Sequence, residues 1–341
     1  MKKLLLGICL LLSVITDATA QDDLLLQRFG YFSYTIPFEG DSLTYYMGGG
    51  TRDRDPEKLV LFLQGSMPKP LLVVENDGSV VANIPISPMD YAAEYYFCVV
   101  PKPGIPPVAK REELDELGMY LDQGTGEMIA AYQERNYLDY YVRSREAVLQ
   151  DITRKIRLEQ VVVVGGSEGA RLGAKLALVS DLVTHLVYFS SDPFGRYLER
   201  ILDVKFRLLK GETSEEAARE KIEAVMEEWK TMNQEPESTS EKGGDTNRAW
   251  VSFSEPAFYD LLALEIPVLV AYGTADKKVF NMELLQLEAI RQRKSNLHFR
   301  AYFNHDHYLR KCKLDENGQL TDVEFVFDTI YAEWLAWVNS H

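Results

Sequence analysis

Residues 161–169 read Val161-Val162-Val163-Val164-Gly165-Gly166-Ser167-Glu168-Gly169, four valines followed by a Gly-x-Ser-x-Gly sequence. Four β-branched residues without polar alternation predict a strand that is buried on both faces of a sheet. Residues 170–178 continue with the pattern of a helix. The flanking glycines permit a turn sharp enough to expose the hydroxyl of Ser167 at the start of that helix. The stretch therefore predicts a nucleophilic serine.

Two further segments supply the partners that such a serine needs. Residues 266–276 form an apolar strand that ends in a turn at Asp276, and residues 297–303 form a strand that leads into His305 and His307. A histidine must take the proton of the serine, and a carboxylate must orient and stabilise that histidine. Serine, then aspartate, then histidine is the order of these groups in α/β-hydrolases.

The chain resembles the serine α/β-hydrolases, in particular small secreted bacterial members related to dienelactone hydrolases and to the catalytic domains of prolyl-oligopeptidase-type enzymes. The resemblance covers roughly residues 30–340 and is most specific at 165–169, at 273–276 and around His307. It implies an α/β-hydrolase fold, a mostly parallel central sheet flanked by helices, with a helical cap insertion. It further implies a triad of Ser167, Asp276 and His307, with no cofactor and no metal.

An oxyanion hole is a further implication of the resemblance. Residues 61–66 match the place of the oxyanion loop, where many relatives have His-Gly and this chain has Gln64-Gly65. The expected donors are the backbone amides of Ser66 and of Glu168, the residue after the nucleophile. Because both donors belong to the backbone, the change to Gln64 leaves them in place.

The sequence leaves rival residues for the acid and the base. Asp192, after the strand expected at 183–190, is the rival of Asp276, although Asp192-Pro193 also suits a turn. His305 is the rival of His307, which we favour because Asp306-His307-Tyr308 resembles the catalytic loop of the family. A His-x-His pair also suits a metal, but no third group of ligands stands out.

The side chain of Glu168 has two interpretations. It is either a surface glutamate stabilised by the dipole of the following helix, or a negative group at the edge of the pocket. The second interpretation would disfavour anionic acyl groups.

The first twenty residues have the features of a signal peptide. Lys2 and Lys3 precede an apolar stretch, and Ala18-Thr19-Ala20 suits a cleavage site. We therefore expect a domain of residues 21–341 that is secreted or periplasmic. Removal of residues 1–20, with Lys2, Lys3 and Asp17, changes the net charge from −15 to −15 − 2 + 1 = −16. Such an acidic chain is a poor partner for nucleic acid, and we expect no membrane insertion.

Residues 195–258 differ in composition from the rest and are the expected cap insertion. A helix is predicted after a capping box at 213–216, and the polar stretch 233–245 is expected to be dispensable. The alternative is a solvated helical excursion. The apolar face of the helix is expected to contain Ala218, Ile222, Val225, Met226 and Trp229, and further aromatic surface is expected from Trp250, Phe253 and Phe258.

Three other expectations concern structure. Residues 127–157 have a helical apolar stripe, and a C-terminal helix is predicted to follow a capping box at 321–324. Export would permit a disulfide between Cys98 and Cys312, but Cys98 lies in an apolar run, so we expect a free buried thiol.

These features predict a secreted or periplasmic serine hydrolase of a small acyl ester or a short peptide. A carboxylic ester is the leading substrate class, followed by a peptide and then an acyl thioester. A catalytically inactive α/β-hydrolase fold that serves as a binding protein is the alternative of a different class.

Overall fold

A computed structural model describes residues 21–51, 55–84, 87–242, 244–277, 279–315 and 320–341. The expected signal peptide, residues 1–20, lies outside the described residues. None of the helices in these ranges is long and apolar enough to cross a membrane.

The chain alternates strands and helices. The strands are β1 (Phe32–Phe38), β2 (Asp41–Gly49), β3 (Lys58–Leu63), β4 (Leu72–Val74), β5 (Val80–Ala82), β6 (Tyr96–Val99), β7 (Val108–Lys110), β8 (Gln160–Gly166), β9 (His185–Phe189), β10 (Glu241–Lys242), β11 (Asp245–Thr246), β12 (Val268–Gly273), β13 (Leu297–Tyr302), β14 (Lys311–Leu314) and β15 (Leu320–Glu324). The helices are α1 (21–28), α2 (Ala130–Arg135), α3 (Leu138–Lys155), α4 (Glu168–Val179), α5 (Arg196–Leu209), α6 (Glu215–Met232), α7 (Asn247–Ser252), α8 (Ala257–Ala263), α9 (Met282–Arg291) and α10 (Phe327–Val338).

The central sheet has eight strands in the order β1-β2-β6-β3-β8-β9-β12-β13. Strand β2 is antiparallel to both β1 and β6, and the other neighbouring pairs are parallel. This arrangement confirms the predicted mostly parallel sheet. Because all of these strands except β2 run the same way, the loops that follow β3, β6, β8, β9, β12 and β13 meet at one edge of the sheet.

The core lies on both faces of this sheet, as the four consecutive valines predict. Val161 and Val163 belong to one apolar cluster, which includes side chains of α3, α4, α8 and α9. Val162 and Val164 belong to the other, which α1 and α10 cover. Side chains alternate along a strand, so a strand between two layers of helices needs an apolar residue at every position.

The predicted C-terminal helix forms, but the capping box at 321–324 is wrong. Helix α10 begins at Phe327. Residues 321–324 instead lie in β15, where Val323 pairs with Cys312 of β14. The hydroxyl of Thr321 donates to the carbonyl of Lys313 at 2.9 Å, so it stabilises the hairpin and not a helix.

The single helix predicted over 127–157 is two helices. Helix α2 ends at Arg135 and α3 begins at Leu138, with Tyr137 in an extended conformation between them. Asn136 lies in this break, and its side chain bonds to Asp245 and to Tyr141. The break therefore places a buried amide beside the functional edge of the sheet.

The insertion, residues 195–258, has a small apolar core of its own. Helix α6 forms as predicted, but its N-cap is Ser214, whose hydroxyl accepts from Ala217 N at 3.2 Å, and not Thr213. Met226, which we expected on the apolar face, is exposed, whereas Met232 of the same helix is buried. The cluster contains Tyr197, Ile201, Val225 and Met232, with Ile222, Trp229, Trp250 and Val251 packed against it.

Cys98 lies in β6 and Cys312 in β14, and both are buried free thiols. Burial raises the pKa of both thiols. Because the thiolate is the reactive form of cysteine, neither side chain is suited to act as a nucleophile.

Candidate active site

Ser167 lies in the turn between β8 and α4. Its backbone angles are φ 56° and ψ −120°, a region that non-glycine residues rarely adopt. The turn is anchored because Ser167 N donates to the carbonyl of Phe189 in β9 at 3.0 Å. A strained serine held by surrounding structure is a feature of functional sites.

The two glycines of the motif permit the close approach of strand, turn and helix. A Cβ atom on Gly165 would lie 2.1 Å from the carbonyl oxygen of Gly169, and one on Gly169 would lie 2.3 Å from that of Leu63. Both distances are far below contact distance. The motif therefore follows from packing: α4 starts against the end of β3 only when residues 165 and 169 have no side chain.

Asp276 and His307 meet at the same edge of the sheet as Ser167. Asp276 follows β12, His307 follows β13, and His307 Nδ1 lies 2.7 Å from Asp276 Oδ2. The carboxylate is almost fully buried, whereas the imidazole is about one-fifth exposed. A carboxylate at Nδ1 holds the proton there, which leaves Nε2 to exchange a proton with another group.

Backbone contacts hold the acid loop against the histidine loop. Ala275 N donates to the carbonyl of His305 at 2.9 Å, and Asn304 N donates to Thr274 Oγ1 at 3.0 Å. A Cβ on Gly273 would lie 2.2 Å from the carbonyl oxygen of His305. The Gly-Thr-Ala sequence before Asp276 is thus fitted to the loop that carries His307.

The rival residues have other partners. Asp192 accepts from Phe194 N at 2.8 Å and from Asn281 Nδ2 at 2.6 Å, so it joins the start of the insertion to the loop before α9. His305 Nδ1 lies 2.8 Å from the carbonyl of Phe303. The structure brings Asp276, and not Asp192, to His307. Within the described ranges, no group of three His, Cys, Asp or Glu side chains could hold a metal ion.

The expected oxyanion loop lies beside Ser167. A Cβ on Gly65 would lie 3.8 Å from Ser167 Cβ. The carbonyl of Ser66 accepts from the hydroxyl of Tyr132 at 2.8 Å, which fixes the orientation of this peptide segment. The side-chain amide of Gln64 donates to the carbonyl of Lys69 at 3.4 Å, within its own loop.

Both sequence-based interpretations of the Glu168 side chain are wrong. The side chain is 4% exposed, so it is neither a surface group nor an open pocket edge. Its carboxylate accepts from Lys102 Nζ at 2.6 Å and from Arg196 Nη2. Burial alone would raise the pKa of Glu168, but the two cations outweigh burial and hold that pKa below its usual value.

Lys102, Arg196 and Asp245 were not identified from the sequence as site residues. Arg196 Nη1 lies 3.1 Å from Asp245 Oδ2, so Arg196 bridges two carboxylates. The stretch 233–245 is therefore not uniformly solvated, because its last residue is a half-buried ion-pair partner. One signal was present: Lys102 lies between two prolines in the loop that follows β6, at the edge where the loops meet.

The insertion contacts two of the elements that meet at this edge of the sheet. Arg171 of α4 pairs with Glu199 of α5 at 2.5 Å. On the other side, the ring of Phe206 of α5 lies 4.1 Å from that of Phe280, four residues after Asp276. Helix α5 thus contacts both the nucleophile helix and the acid loop.

No protein-family model and no curated protein sequence matches this chain. Solved structures do match. A chain from Klebsiella pneumoniae subsp. pneumoniae MGH 78578, assigned as a dienelactone hydrolase, is similar with a TM-score of 0.53 and 12% identity over 91% of this chain and 98% of that one. This chain has the α/β-hydrolase fold.

Two other structures of this fold match less well. The acylaminoacyl peptidase of Pyrococcus horikoshii has a TM-score of 0.49 and 10% identity over 83% of this chain. The thioesterase domain from the curacin biosynthetic pathway has a TM-score of 0.43 and 13% identity over 81% of this chain. This chain spans 39% of the length of the peptidase and 94% of the thioesterase domain.

Proposed function

We propose that this protein is a serine hydrolase that cleaves an acyl bond through an acyl-enzyme. The observation that carries the proposal is the hydrogen bond between His307 and Asp276, formed at the edge of the sheet where Ser167 lies in its strained turn. A serine in an ordinary turn has no need of an oriented imidazole at the same edge.

The acylation step uses each group in a defined way. Ser167 Oγ attacks the acyl carbonyl carbon while His307 Nε2 takes the hydroxyl proton, and Asp276 stabilises the imidazolium that forms. The amides of Ser66 and Glu168 donate to the oxyanion of the tetrahedral intermediate. His307 then gives the proton to the leaving group, and the acyl group stays on Ser167.

Deacylation reverses these roles with water. His307 takes a proton from a water molecule, whose oxygen attacks the acyl carbon, and the proton passes to Ser167 as the ester bond to the enzyme breaks. The products are a carboxylic acid and the regenerated hydroxyl.

A carboxylic ester is the substrate class that we propose, with a peptide as the second candidate and an acyl thioester as the third. The resemblance of the sequence to dienelactone hydrolases supports the ester, and the resemblance to prolyl-oligopeptidase-type enzymes supports the peptide. We also propose that the protein is secreted or periplasmic, on the basis of residues 1–20, and that the insertion covers the acyl site.

Labelling with a fluorophosphonate probe tests the proposed function. The parent protein should be labelled covalently at Ser167, and a Ser167→Ala variant should not be. The variant should also lose about 10⁴-fold in kcat on p-nitrophenyl acetate, because the members of a triad act as a unit.

Absence of labelling and of turnover in the folded parent would favour a binding protein without catalytic activity. A panel of p-nitrophenyl esters, aminoacyl p-nitroanilides and acyl thioesters would then rank the substrate classes of an active parent by kcat/KM.

A further inference from the structure

A closed ring of polar contacts includes the side chain of Glu168, the residue that follows Ser167 in the sequence. Lys102 and Arg196 bind the two carboxylate oxygens of Glu168. Arg196 also binds Asp245, which accepts from Asn136 Nδ2 at 2.6 Å. The ring closes through Tyr141, whose hydroxyl donates to Asn136 Oδ1 at 2.9 Å and whose ring face lies 4.9 Å from Lys102 Nζ. We call these six residues the buried polar ring.

The buried polar ring is assembled from distant parts of the chain. Lys102 comes from the loop after β6 and Glu168 from the first turn of α4. Asn136 and Tyr141 come from the junction of α2 and α3, and Arg196 and Asp245 come from the insertion. The insertion therefore supplies two of the six members of a cluster that includes Glu168, the residue after Ser167.

The second oxyanion donor is attached to the same cluster. Tyr132 of α2 donates from its hydroxyl to the carbonyl of Ser66, and the face of its ring lies 5.8 Å from Lys102 Nζ. Both peptide segments that carry the proposed oxyanion donors are thus fixed by side chains that converge on Lys102.

Such an arrangement is costly if its only role is stability. Lys102 and Glu168 are each less than 5% exposed, and the removal of two charges from water carries a large desolvation penalty before their attraction is counted. Apolar residues of similar volume would stabilise a core at least as well. Charged partners do, however, fix distances and directions in a way that apolar contacts do not.

We propose that Glu168 is a positioning residue that couples the insertion to the oxyanion hole. This inference rests on the proposed function. Lys102 and Arg196 hold the Glu168 carboxylate from two sides, and the carboxylate holds the first turn of α4, so the Glu168 amide keeps its direction toward the developing oxyanion. When Arg196 or Asp245 is displaced with the insertion, the amide loses that direction.

The test compares two variants of the buried polar ring with the parent. Glu168→Gln keeps size but removes the charge that both cations share. Arg196→Lys keeps charge, but an ammonium group has no fork to bind two carboxylates. With p-nitrophenyl acetate, Glu168→Gln should lower kcat by about 10- to 100-fold with KM nearly unchanged, because an oxyanion donor acts in the transition state. Arg196→Lys should lower kcat in the same direction by a smaller factor.

Glu199→Gln is the matched control. It removes an ion pair between the same two helices, α4 and α5, since Glu199, which is 20% exposed, binds the buried Arg171. The control should lower Tm but keep the parental kcat at 25 °C. The rate of labelling by the fluorophosphonate should follow kcat in all three variants, because the phosphonyl oxygen occupies the oxyanion hole.

Three outcomes overturn the inference. Folded Glu168→Gln with a kcat within about twofold of the parent would show that the carboxylate positions nothing. Equal losses of kcat in Glu199→Gln and Glu168→Gln would show that any tether between α4 and α5 matters. If Glu168→Gln does not fold, a folded Arg196→Lys with parental kcat decides against the inference. A folded parent that is neither labelled nor active on any ester overturns the proposed function itself, which these three outcomes leave standing.

Discussion

The hydrogen bond between His307 and Asp276 determines which nitrogen of the imidazole can take a proton. With Asp276 at Nδ1, the free nitrogen is Nε2, which is the nitrogen that a neighbouring serine hydroxyl needs. The burial of Asp276 strengthens this preference, because a hydrogen bond is electrostatically stronger in the low dielectric of the interior than in water. In the proposed mechanism, Asp276 therefore acts through the tautomer and charge of His307.

Asp276→Asn should lower kcat by about 10⁴-fold while the fold is retained, because the amide of Asn presents a donor to Nδ1 and favours the wrong tautomer. The measurement is kcat on p-nitrophenyl acetate, with circular dichroism as the check on folding. Asp192→Asn is the control, since Asp192 accepts hydrogen bonds from Phe194 and Asn281 and lies outside the proposed triad. Asp192→Asn should lower the stability of the fold but leave kcat close to that of the parent. A large loss of kcat in Asp192→Asn with a nearly normal kcat in Asp276→Asn would identify Asp192 as the acid.

At the scale of elements, the turn from β8 to α4 depends on the absence of a side chain at Gly169. Helix α4 begins against the carboxyl end of β3, with Gly169 facing the carbonyl of Leu63. Gly173, one turn later in the same helix, faces the side chains of Leu186 and Val163 instead. Side chains can adjust, whereas the backbone of a central strand cannot do so without loss of its hydrogen bonds.

Gly169→Ala should therefore lower the free energy of unfolding by about 2 kcal/mol more than Gly173→Ala. The added methyl group forces α4 away from β3, which also moves Ser167. Urea unfolding of both variants measures the difference, and kcat should fall in Gly169→Ala alone. Equal unfolding free energies and equal kcat values would show that the contact with Leu63 tolerates a methyl group.

The sequence was a good guide to elements whose causes are local. The strand at 161–164 and the helix of the insertion after residue 213 have patterns that lie within one segment. The capping box at 321–324 failed because its residues pair with β14, a partner that no local pattern specifies. The buried polar ring was missed for the same reason: Lys102 and Arg196 meet at Glu168 only after the sheet has formed.

At the scale of the whole molecule, the aromatic side chains of the insertion have two different roles. Trp229 and Trp250 pack around Tyr197 within the insertion, at ring distances of 4.3 and 5.9 Å, so they support its own core. Phe206 is different, because its ring contacts that of Phe280 in the loop after Asp276, with the two ring planes tilted by 31°. This contact joins α5 to the loop that carries Asp276.

Phe206→Ala should weaken that contact and change the preference for acyl chain length. If α5 covers the acyl site, loss of the Phe206 ring opens the cover, and kcat/KM for p-nitrophenyl octanoate should fall by about tenfold relative to p-nitrophenyl acetate.

Leu209→Ala is the control, since Leu209 lies on the same helix and is 81% exposed. Its ratio of long-chain to short-chain kcat/KM should match that of the parent. An unchanged ratio in folded Phe206→Ala would mean that α5 does not cover the acyl site. Because α5 also carries Arg196, such a result would restrict the role of the insertion to the buried polar ring.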